Sequence, residues 1–359
     1  MRILVVGAGA IGGYVGAKMA LAGDEVTLVG RQSLVDAVSA HRLRLIEPGK
    51  VREIRDCRAV VTVKEAFEAS RRYDLALFTV KTYDTDTAID ALRPYAERVD
   101  RFLSLQNGVS SEERLGAAFG REKIVAGTIL NPVSVPAPGV VMLEKRKGGI
   151  GVASLRVSRA ANPPIHLLAG QLRQAGFKVR EYADYRSMKW SKLLLNLIGN
   201  ATAAILDLNT TEIFRDRRLF VIEIAALREA MRIARAQQIR FVSLPGYPVL
   251  LFAAAIGRLP LSLLQPILIP LVAKGRGRKM PSLHIDLWNG KRRSEIDELN
   301  GAVVRIGAQL KIPTPANALL AATFEDLLSR SSAERAAWRR RADRLWAMYN
   351  KIVRETGRS

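Results

Sequence analysis

MRILVVGAGAIGG, residues 1–13, runs a short hydrophobic strand straight into a glycine-rich turn. Ile3 to Val6 form an apolar run suited to a buried parallel strand, and Gly7, Gly9 and Gly12 fit the spacing G-x-G-x-x-G. Ala10 to Ala22 follow as a helix of small residues ended by Gly23, and Glu25 to Val29 make a second strand. The three glycines serve different ends in such a turn. Gly7 permits the tight bend, Gly9 lets the backbone approach a pyrophosphate, and Gly12 lets the helix pack closely on the strand. The turn residues Gly7, Ala8, Gly9, Ala10, Ile11 and Gly12 then surround the phosphates, with the unpaired N–H groups and positive dipole end of the helix towards the anion. Strand, turn, helix and strand in this order predict an α/β domain of Rossmann type, with a doubly wound sheet that binds a dinucleotide.

The end of the second strand narrows the choice of nucleotide. An NAD site places Asp or Glu there, about 20 residues beyond the glycines, to accept from the ribose 2′-hydroxyl. This chain has Gly30-Arg31-Gln32-Ser33 instead. With no carboxylate to repel a 2′-phosphate and a guanidinium able to grip it, NADP (NADPH) is the expected cofactor.

The bulk properties suit a two-domain enzyme. A chain of 359 residues exceeds what one core usually organises. One cysteine, Cys57, excludes an intramolecular disulfide framework and suits a reducing cytoplasm, and no secretory signal pattern stands at the N-terminus. His41, His166 and His284 are scattered without metal-ligand spacing, so no metal is expected. The net charge of +22 attracts polyanions in general. No nucleic-acid-binding motif accompanies it and aromatic content is 6%, so a solvated basic surface is the favoured explanation and nucleic acid is not an expected partner.

The first half alternates strands and helices. Leu75 to Val80, Phe102 to Leu105 and Ile124 to Ile129 have the character of strands, and Asp84 to Arg98 and Ser110 to Phe119 of the intervening helices. Val140 to Leu143, Gly149 to Val152 and Lys178 to Tyr182 are shorter strands. From Asp184 onward helical periodicity dominates. The expected division is a nucleotide-binding domain over 1–183 and an all-helical substrate and dimerisation domain over 184–359, with the site where strand ends face those helices.

Three polar clusters stand out: Val80-Lys81-Thr82, Gln106-Asn107-Gly108, and a predicted helix from Lys189 to Asn200. Lys192, Asn196 and Asn200 are spaced i, i+4, i+8 and share one face of that otherwise apolar helix. Polar groups buried there need partners, since each left unpaired costs about 1–3 kcal/mol. Neighbouring helices or a bound polar substrate would supply them. Further on, Ser294 is an expected N-cap with Asp297 as its capping-box acid, which makes Glu295 a first-turn carboxylate favoured by the helix dipole.

Together these elements resemble the ketopantoate reductase (2-dehydropantoate 2-reductase) family, from Met1 to about Leu328. The signature positions match at Gly7, Gly9, Gly12, Arg31, Lys81 and Asn107, then at Lys192, Asn196 and Asn200 in WSKLLLNLIGN and at Glu295 in SEIDELNG. The resemblance implies NADPH-dependent reduction of a 2-keto acid, 2-dehydropantoate to pantoate in pantothenate biosynthesis, with Lys192 as acid and Glu295 as the second catalytic residue, accepting from a substrate hydroxyl or the cofactor. It implies substrate contacts from Asn107, Asn196, Asn200 and Ser282, and cofactor contacts from Lys81, Asn107 and Val133. The interval from Ser282 to Glu295 is one residue longer than the family pattern. Lys189, one turn before Lys192, is the next lysine to examine as proton donor. Two alternatives stand beside this expectation: a paralogue reducing a more apolar keto acid or opine-like substrate, and a non-catalytic NADPH sensor.

Two stretches depart from the family pattern: Leu130-Asn131-Pro132-Val133-Ser134 lacks the histidine often found in that loop, and Phe241 to Ala273 is less polar than the family's helical stretch there. Phe241 to Ala273 is apolar with one charge, Arg258, and five prolines, and the basic run Lys274, Arg276, Arg278, Lys279 follows it. It is too interrupted for a membrane span. A lid or subunit interface is expected, giving a homodimer, ahead of peripheral contact with an anionic membrane. In the tail, 333–355, Trp338, Ala342, Leu345, Tyr349 and Ile352 recur at helical steps opposite arginines. This predicts an amphipathic helix docked on its own domain or on a second subunit, with a membrane-surface helix as the alternative.

Overall fold

Ile3, Leu4, Val5 and Val6 are shut off from solvent on both faces of the strand they form, so β1 (Arg2–Val6) lies inside a sheet rather than at its edge. A computed structural model describes residues 1–155, 163–276 and 280–356. After β1 come α1 (Ala10–Leu21), β2 (Glu25–Val29), α2 (Gln32–His41), β3 (Leu43–Glu47), β4 (Lys50–Ile54), β5 (Cys57–Val60) and α3 (Val63–Ala69). Then follow β6 (Leu75–Phe78), α4 (Thr85–Leu92), β7 (Phe102–Ser104), α5 (Ser111–Phe119), β8 (Ile124–Ile129), β9 (Val133–Ala137) and β10 (Val140–Leu143). β11 (Ile150–Ser154), α6 (Pro163–Gln174) and β12 (Val179–Tyr182) complete this part.

Among the described residues the main sheet has eight strands in the order β12-β11-β8-β7-β6-β1-β2-β5. β1 pairs in parallel with both β2 and β6, so the chain reverses its direction of winding on either side of β1. In doubly wound sheets a nucleotide binds outside the strand ends at this switch point. β11 runs antiparallel to β8 and closes the sheet with β12. Among the described residues a second sheet has the order β4-β3-β10-β9, and of its strands the sequence expectations held β10 alone, as Val140 to Leu143. Its strands are short, β3 and β4 carry charged residues, and β10 pairs with β3 from almost a hundred residues away, matching Val140 to Arg44.

The rest of the chain is helical: α7 (Tyr185–Leu197), α8 (Asn200–Leu206), α9 (Thr210–Arg215), α10 (Arg217–Ala236), α11 (Val249–Arg258) and α12 (Leu261–Arg276). Then come α13 (Ser282–Trp288), α14 (Asn300–Gln309), α15 (Pro315–Ser329), α16 (Ser332–Ala336) and α17 (Ala342–Thr356). α10 is the hub of this part. Its apolar stripe, including Leu219, Phe220, Ile224 and Leu227, packs against α9, α11, α14, α15 and α17.

The two compact units are Met1–Lys189 with Leu244–Tyr247, and Trp190–Ser243 with Pro248–Ser359. The division falls between Lys189 and Trp190, inside α7, and not at Ala183. Lys189 belongs with the sheet because its ammonium is tied to Glu112 and to Gln106. The turn Leu244–Tyr247 joins it, with Lys147 Nζ 4.4 Å from the centroid of the Tyr247 ring.

The tail corrects a second expectation. The spacing predicts one helix through Trp338 and Ala342, but α16 and α17 are separated at Arg340, whose φ is +57° and whose N–H donates to Leu206 O at 2.8 Å. Trp338, Ala342 and Leu345 are buried and α17 packs on α10 and α15, so the tail docks on its own unit. Of the basic run after α12, Arg278 and Lys279 lie outside the described residues. Among the described residues no helix is long and apolar enough to cross a membrane.

Candidate active site

The glycine turn is held from two sides. Gly7 N and Ala8 N both donate to Val29 O, at 3.2 and 2.9 Å, and Thr79 Oγ1 donates to Gly7 O at 2.9 Å. Gly7 has φ +95°, and a Cβ there would stand 2.5 Å from Val80 N. A Cβ on Gly12 would stand 2.4 Å from Thr79 Oγ1 and 2.6 Å from Gly7 O. A Cβ on Gly9 would meet nothing within 4 Å. The outer glycines are thus required by the protein's own backbone, while the middle one faces open space at the start of α1. No acidic residue stands in the first turn of α1. This arrangement fits a pyrophosphate, whose charge suits the free N–H groups of a helix start.

The bond from Ala8 N to Val29 O also brings the end of β2 against the turn. Arg31, two residues beyond β2, is exposed and stands at the N-terminal boundary of α2. Ala8, Ile11 and Val133, the first residue of β9, are partly buried and pack against the same apolar core, with Ala10 half-buried at the head of α1.

Lys81 and Asn107 occupy neighbouring strand ends. Lys81 follows β6 and precedes the 3-10 turn Thr82–Asp84, Asn107 follows β7, and both are half-buried. Gln106, 5% exposed, links them: Nε2 donates to Val80 O at 3.0 Å and to Thr85 Oγ1 at 2.8 Å. Its backbone carbonyl accepts from Lys189 Nζ at 2.7 Å, and the same ammonium lies 2.7 Å from Glu112 Oε1. Lys189 is 2% exposed and Glu112 is fully buried. Lys189 therefore holds two strand-end loops in place and is not available as a proton donor. Tyr185, at the start of α7, adds a hydrogen bond to Glu113, which also pairs with Arg121.

In the helical unit Lys192 and Asn196 lie one turn apart on α7, both half-buried. Asn200 does not continue their stripe. α7 ends at Leu197, Gly199 turns the chain with φ +59°, and Asn200 opens α8. The break is fixed by Glu223 on α10, a buried carboxylate that accepts from Gly199 N at 2.7 Å and from the Thr202 hydroxyl. Asn200 is buried, and its Oδ1 accepts from Leu283 N at 3.2 Å at the head of α13, beside the exposed Ser282. The helix expected from Ser294 is also corrected. Ile296–Glu298 is a single 3-10 turn without a side-chain cap, Ser294 Oγ is buried with no hydrogen-bond partner among the described residues, and α14 starts only at Asn300. Glu295 lies just before that turn and is 3% exposed.

The family model "Ketopantoate reductase PanE/ApbA" matches residues 3–156, and its C-terminal counterpart matches residues 184–327. The chain belongs to the ketopantoate reductase family. The two matches take in Gly7 to Val133 on one side and Lys192 to Glu295 on the other. A 2-dehydropantoate 2-reductase of Pyrococcus horikoshii is 29% identical over 320 residues, 89% of this chain and 95% of its own. A solved PanE/ApbA family ketopantoate reductase from Ralstonia eutropha superposes with a TM-score of 0.75 at 28% identity, covering 91% of this chain and 98% of that one. The fold is shared more widely: D-mandelate dehydrogenase, solved with NADH and anilino(oxo)acetate, gives a TM-score of 0.75 at 22% identity, over 91% of this chain and 98% of its own. Ketopantoate reductases are NADP-dependent oxidoreductases acting on a CH–OH group.

Sequence reasoning passed over Thr79, Glu112 and Glu223, which support the ketopantoate reductase motifs without belonging to them. Glu223 carried one signal, an acid inside the apolar run LFVIEIAAL of α10.

Proposed function

We propose that the chain reduces the ketone of a 2-keto acid with NADPH, and that 2-dehydropantoate is the substrate and pantoate the product. The family match over 184–327, which spans Lys192, Asn196 and Glu295, carries this assignment. NADPH, when bound at the glycine turn, supplies a hydride for the carbonyl carbon. Negative charge then grows on the ketone oxygen, where the Lys192 ammonium stabilises it and donates the proton that makes the alcohol. Asn196 orients the substrate's oxygen atoms, Glu295 accepts from a substrate hydroxyl or the cofactor, and Ser282 receives the carboxylate. Asn200 plays a supporting part, because its bond to Leu283 N fixes the head of α13 and with it Ser282. On the cofactor side, Gly7 to Gly12 take the pyrophosphate, Arg31 the 2′-phosphate, and Lys81, Asn107 and Val133 the nicotinamide and its ribose. We place the reaction in a reducing cytoplasm, which suits a chain with Cys57 as its one cysteine.

NADPH oxidation across a panel of 2-keto acids tests this. 2-Dehydropantoate should give the highest kcat/KM. A bulkier, apolar keto acid turned over better would keep the chemistry and replace the substrate, and oxidation with no panel member would overturn the assignment.

A further inference from the structure

α12 is apolar on two sides. Leu264, Leu268 and Val272 form its buried stripe, and Gln265 Nε2 ties it to α9 by donating to Phe214 O at 2.9 Å. One residue earlier in each turn, Leu263, Ile267 and Leu271 are 56%, 46% and 59% exposed. Leu250 and Leu251, in the first turn of α11, are also exposed. A helix that is hydrophobic all round belongs in a core or against something apolar, and here only one side has found protein. The two helices are fixed in place. Arg228 on α10 donates to Ile256 O at 3.0 Å and to Leu259 O at 2.8 Å, bracing the turn between them.

Charge says what covers the outer side. Residues 230–285 contain eight lysines and arginines and no acid, within a chain of net charge +22. Exposed Arg258 closes α11 just before α12, and exposed Arg215 ends α9, where its carbonyl accepts from Gln265 at 3.4 Å. Two copies meeting through this face would set arginine against arginine with no acid in the segment to pair them, whereas anionic headgroups complement it. The prolines agree. Pro266 and Pro270 are exposed within α12 and deprive Ser262 O and Pro266 O of their helical N–H donors. Those carbonyls stay hydrated in a headgroup layer and would be stranded in a dry subunit interface.

We propose that α12, with the turn that precedes it, is a docking surface for an anionic phospholipid bilayer, lying in the interface with Leu263, Ile267 and Leu271 towards the acyl chains. Flotation with vesicles of phosphatidylcholine, with and without phosphatidylglycerol, tests it. The wild-type protein should float with the anionic vesicles, less so as salt is raised, and not with phosphatidylcholine alone. Leu263→Ser/Leu271→Ser should lower vesicle partitioning about tenfold or more, and Arg258→Glu about tenfold. These positions are exposed, so circular dichroism and NADPH affinity should match the wild type and show that the variants fold. Three results would overturn the proposal. The wild type fails to float; the serine variant floats as well as the wild type, which leaves only general attraction to a basic chain; or light scattering finds a stable dimer that the serine variant splits, which gives the face to a second copy.

Discussion

Lys189 Nζ lies 2.7 Å from Glu112 Oε1, and both side chains are almost wholly removed from solvent. A buried pair of this kind adds little net stability, because desolvating two charges offsets their attraction, but removing one partner strands the other. Lys189→Met should therefore lower stability by about 3–5 kcal/mol. Lys189→Met combined with Glu112→Leu should recover most of that loss. Urea unfolding of the single and double variants checks both statements. A single variant as stable as the wild type would mean that the pair does not hold the loops.

NADPH should bind more tightly than NADH through Arg31. A charge-assisted bidentate contact to the 2′-phosphate contributes roughly 1.5–3 kcal/mol, or about 10- to 150-fold in affinity. Arg31→Ala should remove that factor for NADPH and leave NADH nearly unchanged. Titrating both cofactors against both proteins measures it, and equal affinities in the wild type would contradict the assignment.

Cys57, on β5 at the edge of the main sheet, should be a slow thiol. Burial pushes its pKa up to about 12. Near neutral pH its thiolate fraction is then about 10³-fold below that of an exposed cysteine, and iodoacetamide labelling should be slower to match. The rate should rise about tenfold per pH unit and become fast on unfolding. Folding favours the neutral thiol, so this group's contribution is fully present below about pH 8 and declines as pH rises above it. Rapid labelling of the folded protein near pH 7 would rule this out.

Where the sequence was legible, local chemistry decided the structure. The turn from Gly7 to Gly12 was legible because tight bends and close approaches select glycine within a few residues. β2, β8 and β10 have the predicted bounds because short apolar runs between turn residues make strands. Contacts distant in sequence were not legible. The stripe Lys192, Asn196, Asn200 extrapolates one helix through Gly199, where Glu223, 24 residues on, captures the N–H that ends it. The tail helix breaks because Arg340 donates to Leu206 O. β3 and β4 went unread because their charged faces mask an alternation that matters only once β10 arrives.

Reduction of 2-dehydropantoate by this chain, as proposed, depends on Lys192 as the acid. Steady-state NADPH oxidation with that substrate, compared between the wild type and Lys192→Ala, decides the point. In the variant kcat should be lower by about 10²–10⁴-fold, the range for a positioned acid, with NADPH affinity unchanged. Near-wild-type turnover by Lys192→Ala would contradict the proposal, since the neighbouring lysine on α7, Lys189, is already held by Glu112 and Gln106.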